Sequence, residues 1–254
     1  MDWDAPAIVL DARPFGEGDA IATVMTEAHG AHRGLARGGS ARGHAAVWQP
    51  GNLVQVRWVA RLADQLGSFS AELVHPAAAL AMDEPLVLAM LTAACAVAAG
   101  ALPEREAHPR VFQGLVALIA HLAEGAALLP DLVRWEAAVL TDLGYGLALD
   151  ACAVTGATTG LAFVSPRTGR AVTAAGAATW KARLLPLPAF MAPAFMAENA
   201  PPPLAACRDG LALTGHFLAR DAFGLHNKPL PPARQMLYDR VAALALSESP
   251  PDAG

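Results

Sequence analysis

The apolar pattern changes period near Pro76, and that change limits the folds open to the chain. Before it, apolar and polar residues alternate in short runs. In LVQVRWV (53–59), Val54, Val56 and Trp58 share one face, and Gln55 and Arg57 the other. AIVLDAR (7–13) and DAIATVM (19–25) read as strands joined by the turn FGEG. HGAHRGLARGG (29–39) has glycines for tight bends and arginines to point outward. LGSFSAELV (66–74) alternates at Phe69, Ala71 and Leu73. Five short strands with Gly-containing turns in about 75 residues predict a small barrel or sandwich rather than a βαβ unit. Neither a GxGxxG after a strand nor a Walker A pattern is present.

After Pro76 the spacing is helical. PLVLAMLTAACAVAA (85–99) predicts a buried helix with Asp83 as its cap and Pro85 in its first turn. A second helix is expected over 109–123. A third is expected over 131–143, with Leu132, Trp135, Ala138, Val139 and Leu143 at helical spacing and Gly144 and Gly146 ending it. CAVTGATTGLAFVSPRTGRAV (152–172) is rich in Gly and Thr and reads as a compact β-hairpin or loop module. Helical propensity returns at 174–185, 208–222 and 232–247. The six prolines in 185–203 exclude one continuous helix there, and the terminal SPPDAG should fray.

Charge is distributed unevenly along this pattern. The chain carries −5 overall, yet residues 28–63 hold Arg33, Arg37, Arg42, Arg57 and Arg61 and no acid. Residues 63–150 reverse the sign, with eleven acidic residues against three basic ones. Residues 151–197 are again acid-free and carry Arg167, Arg170, Lys181 and Arg183. Basic zones on an acidic chain point to a polyanion-binding surface. The competing reading pairs these arginines with distant acids or scatters them over the surface. Aromatic content of 6% leaves few rings for base stacking. Trp58 shares its face with Val54 and Val56 and is assigned to the core. Trp48, beside a turn, is the better stacking candidate.

The sequence offers no catalytic constellation, and no enzyme activity or cofactor is expected. Glu17 and Asp19 lack a third metal ligand. His29 and His32, near Arg33, read as solvated loop residues, with a phosphate contact as the competing reading, and Ser165 stands in SPRTG, with no base to activate it. Cys152 has Thr155 where a C-x-x-C partner would stand, so a zinc site in the insert is disfavoured. Ser165, Arg167, Thr168 and Arg170 either hold a structural turn or present donors to phosphate. Cys95, Cys152 and Cys207 are too few and too scattered for a disulfide framework, and the start MDWDAPAIVLD lacks the basic n-region of a signal peptide. The apolar run 86–99 is too short to span a bilayer. A cytoplasmic protein without a membrane partner is expected.

Taken in order, several of these pieces resemble the RecO family of bacterial DNA repair and recombination proteins. They are IVLDARPFGEGDAIATVMTEAHGAHRGLARG (8–38), WQPGNLVQVRW (48–58), DQLGSFSAEL (64–73), LGYGLAL (143–149), FVSPRTGRAV (163–172), LLPLP (184–188), LTGHFLARDAF (213–223) and LPPARQML (230–237). The resemblance covers nearly the whole chain, and it departs from zinc-containing members in lacking their paired cysteines. It implies an α+β architecture: an OB-fold DNA-binding barrel over 1–77, then a mainly helical domain over 78–249. A small zinc-finger-like insert at about 150–173 would lack metal ligands. It further implies binding of single- and double-stranded DNA, strand annealing, and a nucleoid-associated location. The implied partners are RecR, RecA, the C-terminal tail of SSB and, in many bacteria, RecF. On this reading Arg33, Arg37, Arg42, Trp48, Arg57, Arg61, Arg167 and Arg170 contact DNA. Arg134, Leu140 and Leu143 are the candidate surface for the SSB tail; the competing reading places both leucines in the core and leaves Arg134 solvated. The alternative function is a protein-interaction adaptor whose barrel and helical domain bind acidic protein tails, with little direct DNA binding.

Overall fold

The computed structural model describes residues 1–62, 64–192 and 201–248. Part of the proline-rich stretch 185–203 and all of the terminal SPPDAG therefore lie outside the described residues. Five strands form a closed barrel in the order β1-β2-β3-β5-β4: β1 (Asp2–Phe15), β2 (Asp19–Thr26), β3 (Gly30–Ala36), β4 (Leu53–Val59) and β5 (Ser68–His75). The neighbours are antiparallel except β3 and β5, which pair parallel through Leu35–Ser68 and Ala36–Phe69. This is the expected OB-type barrel. The long β1 serves two partners. Its first half pairs with β4, its second half with β2, and a bulge between Val9 and Asp11 lets it curve.

Alternation decides what fills the barrel. Ala7, Val9, Ala20, Ala22, Val24, Ala36, Val54, Val56, Trp58, Phe69 and Trp48 form its core. Small alanines leave room for three large rings. A Cβ on Gly34 would lie 2.7 Å from the Phe69 ring, so the side chain is absent where that ring packs. Trp58 satisfies its indole N–H on the Leu66 carbonyl at 3.0 Å. Gly16 and Gly18, in the predicted FGEG turn, both have positive φ.

Three helices complete the first compact unit, residues 1–125: α1 (Ala77–Ala81), α2 (Pro85–Ala101) and α3 (Pro109–Ala120). Ile8 and Leu10 alternate with the core-facing residues of β1 and are also buried, on the side where α2 packs against the strand. Pro85 opens α2 as the spacing predicts. Asp83 does not cap it; Glu84 occupies that position and makes no side-chain cap. Cys95 lies in the buried face of α2, and burial pushes its thiol up to about 12.

The second unit begins at Ala126. It contains α4 (Leu129–Asp142), β6 (Leu161–Val164), β7 (Ala171–Thr173), α5 (Ala174–Ala177), β8 (Leu185–Pro186), α6 (Leu204–Phe217) and α7 (Pro232–Glu248). Helix α6 packs on α4 and α7. Gly210 of α6 permits close approach to α4, since a Cβ there would lie 3.0 Å from both Val133 and Phe190. The predicted insert is a hairpin of β6 and β7, extended to a three-stranded sheet by β8. Among the described residues, no single helix is long and apolar enough to cross a membrane.

Candidate nucleic-acid interface

The acid-free run 28–63 folds into β3, the following loop and β4. The loop 37–52 is fixed at both ends. Gly38 donates its N–H to the Asp19 carboxylate at 2.7 Å, so this acid pins a turn. Asn52, almost fully buried, donates to the Ala46 carbonyl at 2.7 Å and accepts from Ala78 N–H at 3.0 Å. The loop then stands beside the outer faces of β4 and β5. Between them lies a groove of about 600 Å³, lined by Arg37, His44, Val47, Trp48, Arg57, Val59, Ser68, Phe69, Ser70 and Ala71. It offers two guanidinium groups and two hydroxyls to an anion, with aromatic rings at its floor.

All five predicted arginines of the run are exposed, but they are not equivalent. Arg33 pairs with Glu104 at 3.3 Å, and Arg57 with Asp2 at 3.0 Å, both between half-exposed side chains. Such surface pairs contribute about 0–1 kcal/mol and yield readily to a competing anion. Arg37, Arg42 and Arg61 make no ion pair among the described residues. The run lacks acids in sequence, yet strand pairing and a distant turn bring two to it. Only Arg37 and Arg57 of the five line the groove.

Trp48 must be corrected as a stacking platform. It is only 6% exposed, and its ring lies 6.0 Å from Phe69 in a stacked arrangement. The loop that carries it turns it into the core, so it forms the groove floor and cannot receive a base on its face. Trp58, 3% exposed, is core as expected. His32 is a further correction: it is buried in β3, edge-on to Trp58 at 4.7 Å, while His29 stacks on Trp3 at 4.5 Å. Ser68, Ser70 and His44 were missed as groove residues. The two serines were legible, since they alternate with Phe69 and Ala71 and must face outward. His44 carries no such signal.

In the second unit, Arg167 and Arg170 are exposed at the tip of the β6–β7 hairpin. The tip is held by Gly169 N–H donating to the Ser165 carbonyl at 2.9 Å and by Arg220, which donates to the carbonyls of Pro166 and Arg167. Lys181 and Arg183 are exposed as well. Of the surface expected from Arg134, Leu140 and Leu143, Arg134 is exposed, but Leu140 does not reach the surface. Arg134 is engaged with Asp131 at 2.6 Å, with the Phe190 carbonyl at 3.2 Å and over the Phe190 ring. Leu140 is fully buried because it faces the helical core of α4, and Leu143 is half-buried.

Cys152 Sγ accepts from the N–H groups of Thr155 at 3.4 Å and Thr173 at 3.3 Å. Burial raises its thiol, but these contacts and those with the threonine hydroxyls outweigh it and bring the group down to about 6. Structural zinc takes four Cys or His ligands. Around Cys152 the described donors are amides and hydroxyls, and no group of three or more His, Cys, Asp or Glu side chains converges among the described residues. The residues described do not fit a zinc site.

Two family models cover the chain: Recombination protein O N terminal matches residues 1–77, and Recombination protein O C terminal matches residues 82–229. The chain belongs to the recombination protein O family. It is 58% identical to the DNA repair protein RecO of Granulibacter bethesdensis, over 98% of each chain. The DNA repair protein RecO of Acidiphilium cryptum is 59% identical over 95% of this chain and 96% of its own. That of Gluconacetobacter diazotrophicus is 54% identical over 99% and 100%. Membership in the RecO family gives the chain a role in DNA repair and recombination.

Proposed function

We propose that the chain binds single- and double-stranded DNA at arbitrary sequence and anneals complementary strands. With RecR, and with RecF where it takes part, it would help load RecA onto DNA coated with SSB, contacting the SSB C-terminal tail. It does this without covalent chemistry, in the cytoplasm at the nucleoid. The observation that carries the reading is the convergence of Arg37 and Arg57 on one groove of an OB barrel, beside Ser68 and Ser70. Guanidinium groups neutralise backbone phosphates and carry little sequence information, which suits a repair factor. Reduced repulsion between two strands then favours their pairing. Arg33, Arg42 and Arg61 extend the positive surface around the groove, and Arg167 and Arg170 supply a second cationic tip.

A second reading is favoured by the ion pairs Arg33–Glu104 and Arg57–Asp2, which show that these arginines accept carboxylates. It makes the barrel an adaptor for acidic protein tails. Anisotropy titrations with a labelled oligo-dT at several salt concentrations separate the two. R37A/R57A should weaken DNA binding roughly tenfold at moderate salt and reduce the salt slope by about 1.4, the share of two single-strand phosphates. Unchanged affinity and slope in the folded variant, with loss of binding to an acidic peptide, would favour the adaptor.

A further inference from the structure

The insert exposes a large aromatic ring. Trp180 is 59% exposed in the turn Ala178–Arg183 that links α5 to β8. The insert has its own small core of Cys152, Val172 and Ala177, with Leu161, Phe163 and Leu184 packed on it, and Trp180 is not part of it. Its flanks are cationic. The Arg183 guanidinium lies 5.2 Å from the centre of the Trp180 ring, and Lys181 Nζ lies 5.7 Å from that of Phe163. Neither cation has an ion pair among the described residues, and residues 151–192 contain no acid.

We propose that Trp180, with Lys181 and Arg183, is a stacking site for an unpaired base of single-stranded nucleic acid. A tryptophan left in water forgoes the largest apolar burial available to any side chain. Here it stands among small and cationic residues, so its partner must combine a planar apolar face with negative charge. An unpaired nucleotide has both. A duplex hides its base faces, and an acidic peptide need not carry a planar one. Arg183 holds one face of the indole by cation–π contact, and a base on the other completes a stack. The adjacent phosphates fall to Lys181 and Arg183. Stacking of this kind is tolerant of sequence. The site depends on the DNA binding proposed above and adds a contact in the second unit to the groove of the first.

The test compares the full-length chain with W180A, W180F and R37A/R57A. The probes are a labelled oligo-dT, an abasic strand of equal length, and a duplex. W180A should weaken oligo-dT binding roughly tenfold, W180F by less than about threefold, and the abasic strand and duplex should bind W180A as they bind the parent chain. R37A/R57A should weaken all three probes. Parent-like oligo-dT affinity in W180A beside a weakened R37A/R57A would overturn the Trp180 site and leave the barrel reading intact. Absence of oligo-dT binding by the parent chain would overturn both. An equal loss by W180A on oligo-dT and abasic strand would show that the residue acts through charge or packing, which also refutes stacking.

Discussion

His32 shows how a residue's place in the barrel overrides its place in the sequence. A Gly-rich basic stretch suggests a solvated loop, but Gly30 begins β3, and His32 is carried into a cluster with Trp3, Trp58 and Phe69. Neither ring nitrogen has a hydrogen-bond partner among the described residues. Burial, and then the nearby charges of Arg105 and His29, bring its imidazole down from 6.5 to about 4. The unfolded chain therefore takes up this proton below about pH 6.5, and the folded chain only below about 4. The neutral ring's contribution is complete above 6.5, declines as pH falls from 6.5 to 4, and is constant below. That loss amounts to at most about 3 kcal/mol. H32F keeps the aromatic packing and removes the titration. Urea melts between pH 4 and 7 should show a smaller fall in stability for H32F than for the parent chain. Parallel pH curves would show that His32 is not held neutral by the fold.

At the scale of elements, periodicity marks the barrel strands and the longer helices, but not the short α1 or β8. Val54, Val56 and Trp58 mark β4 to the residue, and Pro85 and Pro109 open α2 and α3. Periodicity cannot say which side of an element meets a distant one. Its place beside a turn makes Trp48 the better stacking candidate, but Asn52 and Asp19 pin the loop so that the indole folds onto Phe69. The spacing of Leu140 fits a pocket-lining position and a core position equally, and the packing of α4 decides for the core. The joint of α4, α6 and α7 was illegible for the same reason. Glu136, Thr214 and Arg234 are 98 and 78 residues apart in their two longest links, yet all are buried. Arg234 donates to the Glu136 carboxylate at 2.9 Å and to the Leu211 carbonyl at 2.7 Å, and Thr214 donates to Glu136 at 2.5 Å. Removing one charge strands the other, so R234A should cost about 3–5 kcal/mol in chemical denaturation. R234M/E136L removes both charges and should recover most of that loss. A double variant no more stable than R234A would mean that the network is held by packing rather than by its charges.

For the molecule as a whole, net charge is a poor guide and its distribution a better one. A chain at −5 would repel a polyanion if its charge were spread evenly. Instead the acid-free segments keep exposed arginines on the barrel and on the insert, one set in each compact unit. The family and the barrel were legible because motif order and strand alternation survive in the sequence. The groove was legible only in part, because Asp2 and Glu104 reach Arg57 and Arg33 through pairing that no linear charge count contains. On the function proposed above, DNA lies in the groove between the loop 37–52 and strands β4 and β5. Photocrosslinking of full-length protein to a 5-iodouracil oligonucleotide, followed by peptide mapping, tests it most directly. The account predicts crosslinks in peptides spanning residues 37–48 and 57–71, reduced in R37A/R57A. Efficient crosslinking confined to other peptides, and unchanged in that variant, would contradict it.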